Sequence, residues 1–151
     1  MSDQFVHLHL HSQYSLLDGA IKFDELFDEV EKQGMSSVAL TDHGNLFGAY
    51  DFYKKAKDKG IKPIVGCELY IAKDHLNKSS ENNKTHHLTV LAKNLQGYEN
   101  LCTLVSIGHL KGFYRKPRID RKLLFEYSDG LIVLSGCLNG EVCHNILKGR
   151  K

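Results

Sequence analysis

The 151-residue sequence lacks the features of a membrane or secreted protein. It contains no apolar run long enough to cross a bilayer and no signal-peptide pattern. Its four cysteines form no Cys-x-x-Cys pair, and a disulfide scaffold is not indicated. We therefore expect a protein of the reducing cytoplasm that has no membrane partner.

The sequence also lacks a strong charge of one sign and several common catalytic motifs. A formal net charge of +2 gives no general polycation argument for nucleic-acid binding. The chain has no Walker A loop, no dinucleotide-binding fingerprint and no Gly-x-Ser-x-Gly nucleophile elbow. With 42% hydrophobic and 25% charged residues, the composition is that of one globular domain with an ordinary core.

The sequence is rich in histidine, with nine residues, several of them close together. His7, His9 and His11 alternate with leucine, and we predict a strand over residues 6–10. The alternation places the three imidazoles on one face of that strand. Neutral imidazole is a frequent ligand of zinc-like metals, so this segment indicates a metal site. The alternative is a partly buried strand whose histidines only satisfy local hydrogen bonds.

Strand-like and helix-like segments alternate along the rest of the chain. This alternation predicts an α/β fold of βαβ units with a parallel sheet, in which functional residues collect at the strand ends. The polar segment 73–85 is predicted to be a surface loop or hairpin. The further predicted strands are 37–40, 64–71, 88–92 and 131–134. The predicted helices are 23–33, 46–59, 98–110, a short one capped by Asp120 that reaches 127, and 141–147.

Candidate metal ligands stand at or near each predicted strand end. Each one alone has an ordinary explanation: Asp42 could cap a helix, Glu68 could form a salt bridge, and Cys137 could be a small buried side chain. Together they indicate one site. Mixed nitrogen, oxygen and sulfur donors suit zinc, manganese or iron, and this many would hold two or three divalent ions, with Glu68 bridging a pair. The donors are His9, His11, Asp18, Asp42, His43, Glu68, His86, His87 and Cys137.

A cluster of divalent ions suits phosphoester hydrolysis. One ion lowers the pKa of a water molecule, and the others bind phosphate oxygens and stabilise the leaving oxygen. A Cys137 nucleophile is the weaker alternative, because nothing marks a base for it except the same histidines.

Several strings of this sequence resemble a known family. The motifs similar to those of PHP domains (polymerase and histidinol phosphatase) are His9-x-His11-Ser12, Thr41-Asp42-His43-Gly44, Glu68 and His87. The strings at 15–19, 42–48, 60–66, 112–120 and 134–138 are similar to the N-terminal region of the bacterial DNA polymerase III α-subunit family. The resemblance covers nearly the whole chain.

The resemblance implies a distorted (βα)7 barrel with up to three metal ions at the carboxyl ends of its strands. It implies that His7 and His86 lie beside the site and that Asp42 is a neighbour or cap of the ligands. The implied catalytic residues are His9, His11, Glu68 and His87. The implied metal ligands are His9, His11, Asp18, His43, Glu68, His87 and Cys137.

By the same resemblance, residues 1–151 form a PHP domain that is incomplete at its C-terminal end. We expect about five of the seven βα units, because the family's later Asp and His ligands have no counterpart in this sequence. The parent protein is then expected to be a DNA-directed DNA polymerase of DNA replication. Its expected partners are DNA, the remainder of the α subunit and other replicase subunits.

Three functions stay open for the domain itself. The first is phosphodiester hydrolysis at a multinuclear metal site, as in a 3′–5′ proofreading exonuclease. The second is a metal-stabilised structural or interaction module that supports the polymerase core without catalysis. The third is a small-molecule phosphatase, against which the polymerase-like strings outside the metal motifs argue.

A basic segment, residues 111–122, is a candidate nucleic-acid contact. Its cations can neutralise phosphates, and the two aromatic residues among them can stack on bases. The alternative is a solvated loop whose aromatic rings pack on the domain. The candidate contacts are Lys111, Arg115, Lys116 and Arg118.

Overall fold

The computed structural model describes residues 5–149, which form a mixed α/β fold with five strands, five α-helices and a short 3-10 helix, Ser80–Asn82. The strands are β1 (Ser37–Leu40), β2 (Lys62–Ala72), β3 (His86–Ala92), β4 (Arg118–Asp120) and β5 (Leu131–Leu134). The helices are α1 (Phe23–Lys32), α2 (Ala49–Asp58), α3 (Leu95–Leu110), α4 (Arg121–Glu126) and α5 (Glu141–Leu147). Within these residues, no helix has the length and apolar character that a membrane crossing requires.

Strand β2 is central because it pairs with three other strands. β1 runs parallel to its first residues, and the short β4 runs parallel to its last ones. β3 runs antiparallel to the second part of β2, and β5 runs antiparallel to β3. The prediction of a parallel sheet is therefore confirmed for the pairs of β2 with β1 and β4 and wrong for the pairs of β3 with β2 and β5. The segment 73–85 joins β2 to β3 without a crossover helix, so the chain returns in the opposite direction.

The predicted strand over residues 6–10 is not a strand in the structure, although this segment runs beside β1. Ala39 N–H donates to His7 O, and Thr41 N–H donates to Leu10 O, both at 2.9 Å. Between these two hydrogen bonds the N-terminal segment contains one residue more than β1. A regular ladder of hydrogen bonds therefore does not form. This extra residue breaks the strict alternation of side chains that the strand prediction assumed.

Most other elements lie close to their predicted positions. α1, β1, β5 and α5 are within one residue of the predicted bounds. α2 begins at Ala49 rather than at residue 46, because Asn45 forms a turn before it, with its side-chain N–H donating to His43 O at 3.0 Å and its oxygen accepting from Phe47 N–H at 3.1 Å. β4 was not predicted, because a strand of three residues shows no periodicity.

The core consists of two apolar clusters. The first joins α1, α2 and β1, and its α1 members have the predicted helical spacing. The second joins β2, β3, β4 and α3. Because Cys67, Leu69 and Ile71 of β2 belong to the second cluster, the alternate residues Glu68 and Tyr70 face the other side of the sheet. The α1 members of the first cluster are Phe23, Leu26, Phe27 and Val30.

Candidate metal centre

The carboxylate of Glu68 lies at the middle of the candidate centre, and the residue is only 1% exposed. Its Oε2 atom lies 2.6 Å from His9 Nε2 and 2.8 Å from His11 Nε2. Its Oε1 atom contacts His87 Nδ1 and lies 3.7 Å from His43 Nδ1. Four imidazoles therefore surround one buried carboxylate.

The sheet explains why distant histidines reach this carboxylate. His43 follows β1 and forms an isolated bridge with β2, in which Gly44 N–H donates to Glu68 O at 2.9 Å. In the pairing of β2 with β3, Tyr70 lies opposite His87. Side chains two residues apart on a strand share a face, so Glu68, Tyr70 and His87 project together.

Asp18, in the loop before α1, extends the centre towards solvent. Its Oδ2 atom lies 2.8 Å from His43 Nε2 and 3.4 Å from His11 Nδ1. Three overlapping sets of donor atoms result, and within each set the atoms lie within 4.8 Å of one another. Any two of these sets share one residue. The sets are His9–His11–Glu68, His11–Asp18–His43 and His43–Glu68–His87.

Cys137, the remaining predicted ligand, lies beside these sets. Its Sγ atom is 3.9 Å from His87 Nδ1 and accepts from Asn139 N–H at 3.4 Å. The loop that carries it follows β5, which is the antiparallel neighbour of β3. Within residues 5–149, the three donor sets therefore include every predicted metal ligand except Cys137.

Three further predicted residues lie outside the donor sets. His7 is exposed, and its ring lies edge-on to Phe5 at a centroid distance of 4.7 Å. His86 Nδ1 lies 3.2 Å from Asn139 O. Asp42 is buried and directs its carboxylate at two serines rather than at the histidines. The expectation that these three residues neighbour the site stays a prediction.

The two carboxylates of the centre are held in their charged form. Burial by itself would raise the pKa of Glu68, but its contacts with His11, His87 and His9 outweigh burial and hold that pKa well below its usual range. The hydrogen bond to Glu68 raises the pKa of His11 in spite of burial. For Asp18, contacts with His43 outweigh desolvation and lower the pKa. Both carboxylates are therefore ionised at neutral pH, the form that binds a cation.

Two buried polar atoms of the centre have no hydrogen-bond partner within residues 5–149: His43 Nδ1 and Glu68 Oε1. Glu68 Oε1 contacts His87 Nδ1, but this contact lacks hydrogen-bond geometry. Buried polar atoms are nearly always paired, and imidazole nitrogen and carboxylate oxygen are both metal ligands. The donors present therefore fit divalent cations.

Sequence reasoning missed Tyr70, whose ring contacts two candidate ligands. The ring stacks on His43 with an interplanar angle of 10° and a centroid distance of 5.8 Å, and it lies 5.1 Å from the ring of His87. Burial, with the nearby Glu68 carboxylate, raises the pKa of Tyr70 to about 12, so the phenol stays protonated. Its place two residues after Glu68 in a strand was the signal that could have found it.

A second group of donors, Asp74, His75 and Asp120, lies apart from the centre and was also missed. His75 Nδ1 lies 2.5 Å from Asp120 Oδ2. Asp120 Oδ1 accepts from Leu123 N–H at 3.0 Å, which confirms the prediction that Asp120 caps a helix. A hydrogen bond between His75 and Asp120 and a helix cap account for these contacts.

The basic segment 111–122 contains both exposed and buried cations. Lys111, Arg115 and Lys116 are exposed, whereas Arg118 is fully buried. The Arg118 guanidinium donates to four backbone carbonyl groups. The prediction that Arg118 contacts nucleic acid is therefore wrong, because its donors are used inside the protein.

Comparison with known proteins decides the family. The PHP domain family matches residues 7–151. The chain belongs to the PHP domain family. This PHP domain is 53% identical over 150 residues to DNA polymerase III subunit alpha of Borreliella burgdorferi, with 97% of the chain covered. It is 54% identical over 142 residues to DNA polymerase III subunit alpha of Helicobacter pylori, with 94% of the chain covered. The chain spans only 13% and 12% of the lengths of these two relatives.

One solved structure is similar to this PHP domain in fold. It is the crystal structure of a protein from Bifidobacterium adolescentis that is described as a metal-dependent phosphoesterase. The TM-score is 0.50 at 18% sequence identity, and the match covers 70% of this chain and 33% of that chain. At this identity the likeness concerns the mixed α/β fold alone.

Proposed function

We propose that this PHP domain is part of the α subunit of a replicative DNA polymerase and that its centre hydrolyses phosphodiester bonds. The identity to two DNA polymerase III alpha subunits over nearly the whole chain supports the parentage. The observation that carries the hydrolytic part is the buried Glu68 carboxylate, which two of the three donor sets share. The whole protein would be a DNA-directed DNA polymerase of the cytoplasm. Its partners would be DNA, the remainder of the α subunit and other replicase subunits.

The fold in this proposal is a distorted (βα)7 barrel, of which the described residues supply the mixed sheet and its helices. The centre would hold two or three divalent ions, with zinc, manganese and iron as the candidates. Bound divalent ions supply Lewis acidity, which activates water and neutralises phosphate oxygens. The residues that would hold them are His9, His11, Asp18, His43, Glu68, His87 and Cys137.

The two oxygens of Glu68 support a bridging role for this residue. Oε2 faces His9 and His11, and Oε1 faces His43 and His87, so each oxygen belongs to a different donor set. The catalytic residues we propose are His9, His11, Glu68 and His87, because these side chains enclose the buried end of the centre.

We propose a 3′–5′ proofreading exonuclease as the specific activity. The centre is buried at Glu68 and open at Asp18, whose side chain is 51% exposed. A strand end can therefore approach from the side of Asp18 while the buried carboxylate holds its position.

Metal analysis and a nuclease assay on His9→Ala and His7→Ala test the proposal. The substrate is single-stranded DNA, labelled at either end, with manganese or zinc added. We expect the wild-type protein to shorten the strand from its 3′ end. His9→Ala should lower both the metal content and the rate by at least tenfold, whereas His7→Ala, outside the donor sets, should change neither. A wild-type protein that is fully loaded with metal and cuts no DNA would disprove the hydrolytic function.

A metal-stabilised structural module is the second candidate, and one observation favours it. The donors come from the N-terminal segment, from the turn after β1, from β2 and from β3, so a bound ion would cross-link separate parts of the fold. In that case His9→Ala would lower the melting temperature without changing any activity. A small-molecule phosphatase is not favoured, because similarity to polymerase subunits extends well beyond the ligand motifs.

A further inference from the structure

Lys116 lies one aromatic ring away from the candidate centre. Its Nζ atom is 4.4 Å from the centroid of the Tyr70 ring. The same ring stacks on His43 and meets the ring of His87 edge-on. The ammonium group therefore lies against the same ring as two candidate ligands.

The loop that carries Lys116 is packed against the motif that carries His43. Gly44 has φ of +61°, and a Cβ atom there would lie 2.6 Å from Pro117 Cγ and 3.2 Å from Tyr70 Cε2. His109 Nε2, at the end of α3, donates to Gly44 O at 2.9 Å. Only glycine permits this close approach and this backbone conformation. This packing places Pro117, the residue after Lys116, against the turn that carries His43.

Within the described part of the chain, the charge of Lys116 is not paired with a carboxylate. Within residues 5–149, no carboxylate lies within 4.0 Å of its Nζ atom, and the residue is exposed. Lys55 and Lys59, in contrast, each pair with aspartate. An exposed ammonium that faces a ring rather than an acid remains available to an anion.

We propose that Lys116 binds a phosphate of the substrate other than the one being hydrolysed. The centre would then select strands with several phosphates over esters that carry one. This inference rests on the proposed phosphodiester hydrolysis and adds its substrate class. Lysine suits the role because it binds phosphate as a point charge on a flexible stem. A purely structural Lys116, which only covers the Tyr70 ring, is the opposing interpretation.

The variants Lys116→Met and Lys116→Arg, with Lys57→Met on α2 as a matched control, test this proposal. Each is assayed on single-stranded DNA and on bis(p-nitrophenyl) phosphate, a diester with one phosphate. We expect Lys116→Met to lower kcat/KM on DNA about tenfold, mainly through KM, and to leave the small diester within about twofold. Lys116→Arg should restore most of the loss, and Lys57→Met should change neither substrate. An equal loss on both substrates, or no loss on DNA, would overturn the proposal.

Binding measurements separate this proposal from the proposed hydrolysis. Fluorescence anisotropy of labelled single-stranded DNA, over a range of salt concentrations, needs no turnover. We expect Lys116→Met to reduce the slope of log affinity against log salt by about 0.7, the value for one phosphate contact on a single strand. The metal-loaded wild-type protein could bind DNA, show this difference in slope from Lys116→Met and still cut no DNA. In that case the proposed hydrolysis is wrong and the proposed role of Lys116 is supported. If the slopes are equal, or if the wild-type protein does not bind DNA, the role of Lys116 is wrong.

Discussion

Asp42 is hydrogen-bonded to Ser12 through both of its carboxylate oxygens. Oδ1 accepts from Ser12 N–H at 2.7 Å, and Oδ2 accepts from the Ser12 hydroxyl at 2.8 Å. Oδ1 also accepts from the Ser15 hydroxyl at 2.7 Å, and all three residues are buried. The carboxylate therefore ties the N-terminal segment that carries His11 to the turn that carries His43.

Replacing Asp42 with asparagine should lower the free energy of unfolding by about 2 kcal/mol, because an amide N–H₂ would face a serine donor in a buried place. Chemical denaturation measures the effect. Asp24→Asn is the matched control, since Asp24 is an exposed partner of Lys55 on the surface and should contribute less than about 1 kcal/mol. Equal effects of the two substitutions would contradict the role of Asp42.

Replacing Glu68 with glutamine should weaken metal binding by at least tenfold, because one negative donor that two sets share is lost. Metal content after dialysis and the rise of melting temperature on adding manganese or zinc measure this. A ligand that binds only the folded state at 100 times its Kd stabilises by about 2.7 kcal/mol, so the wild-type rise should be clear. Glu25→Gln on α1 is the control. If E68Q binds as much metal as E25Q, the proposed metal centre is contradicted.

Replacing Arg118 with methionine should lower the free energy of unfolding by about 3 kcal/mol. The guanidinium donates to the backbone oxygens of Gly112, Asn82, Asn77 and His75 at 3.0 to 3.3 Å. Methionine would leave the buried oxygens of Gly112 and His75 and the part-buried oxygens of Asn82 and Asn77 without this donor. Arg115→Met, which removes an exposed arginine, is the comparison for stability by denaturation. At temperatures where both variants are folded, Arg118→Met should leave the affinity for DNA unchanged. A lower affinity of this variant would show that Arg118 does contact nucleic acid.

The stability difference between wild type and Asp120→Asn should depend on pH. Burial works against the charged form, but the Leu123 N–H and His75 outweigh it, so the pKa of Asp120 lies below its ordinary value of 3.8. A lowered pKa means that the ionised group stabilises the fold fully above 3.8 and that this stability disappears as the pH falls through the folded pKa. Asparagine keeps the helix cap, so the expected difference of about 1 kcal/mol at neutral pH reports the charge. Denaturation across this range measures it, and a difference that stays constant into acid would contradict the assignment.

The local sequence pattern predicted several helices and strands correctly, but it did not predict the antiparallel pairs that β3 forms in the sheet. α1 follows from the spacing of Phe23, Leu26, Phe27 and Val30, because a helix brings these residues to one face. The direction of β3 does not follow from its own residues, since only the short connection through 73–85 makes it antiparallel. The segment 6–10 alternates like a strand, but an extra residue relative to β1 prevents a ladder.

The candidate centre shows the same division. The ligand types and their places near strand ends were visible in the sequence, and the structure brings six of the predicted metal ligands into overlapping sets. The roles of Ser12 and Arg118 were not visible in the sequence, because each depends on partners far away in the chain. Arg118 has the charge of a nucleic-acid contact, yet its position on a three-residue strand buries it.

Residue type and spacing therefore determined the α/β class, the helices with clear periodicity and the identity of the donors, because these depend on near neighbours along the chain. Long-range packing decided which strands pair, which donors share an ion site, and which cations face solvent. Glu68 became the middle of the centre only when the turn after β1, the second half of β2 and the start of β3 met on one sheet face. This convergence depends on how the strands pair with one another, and no single segment of the sequence encodes that pairing.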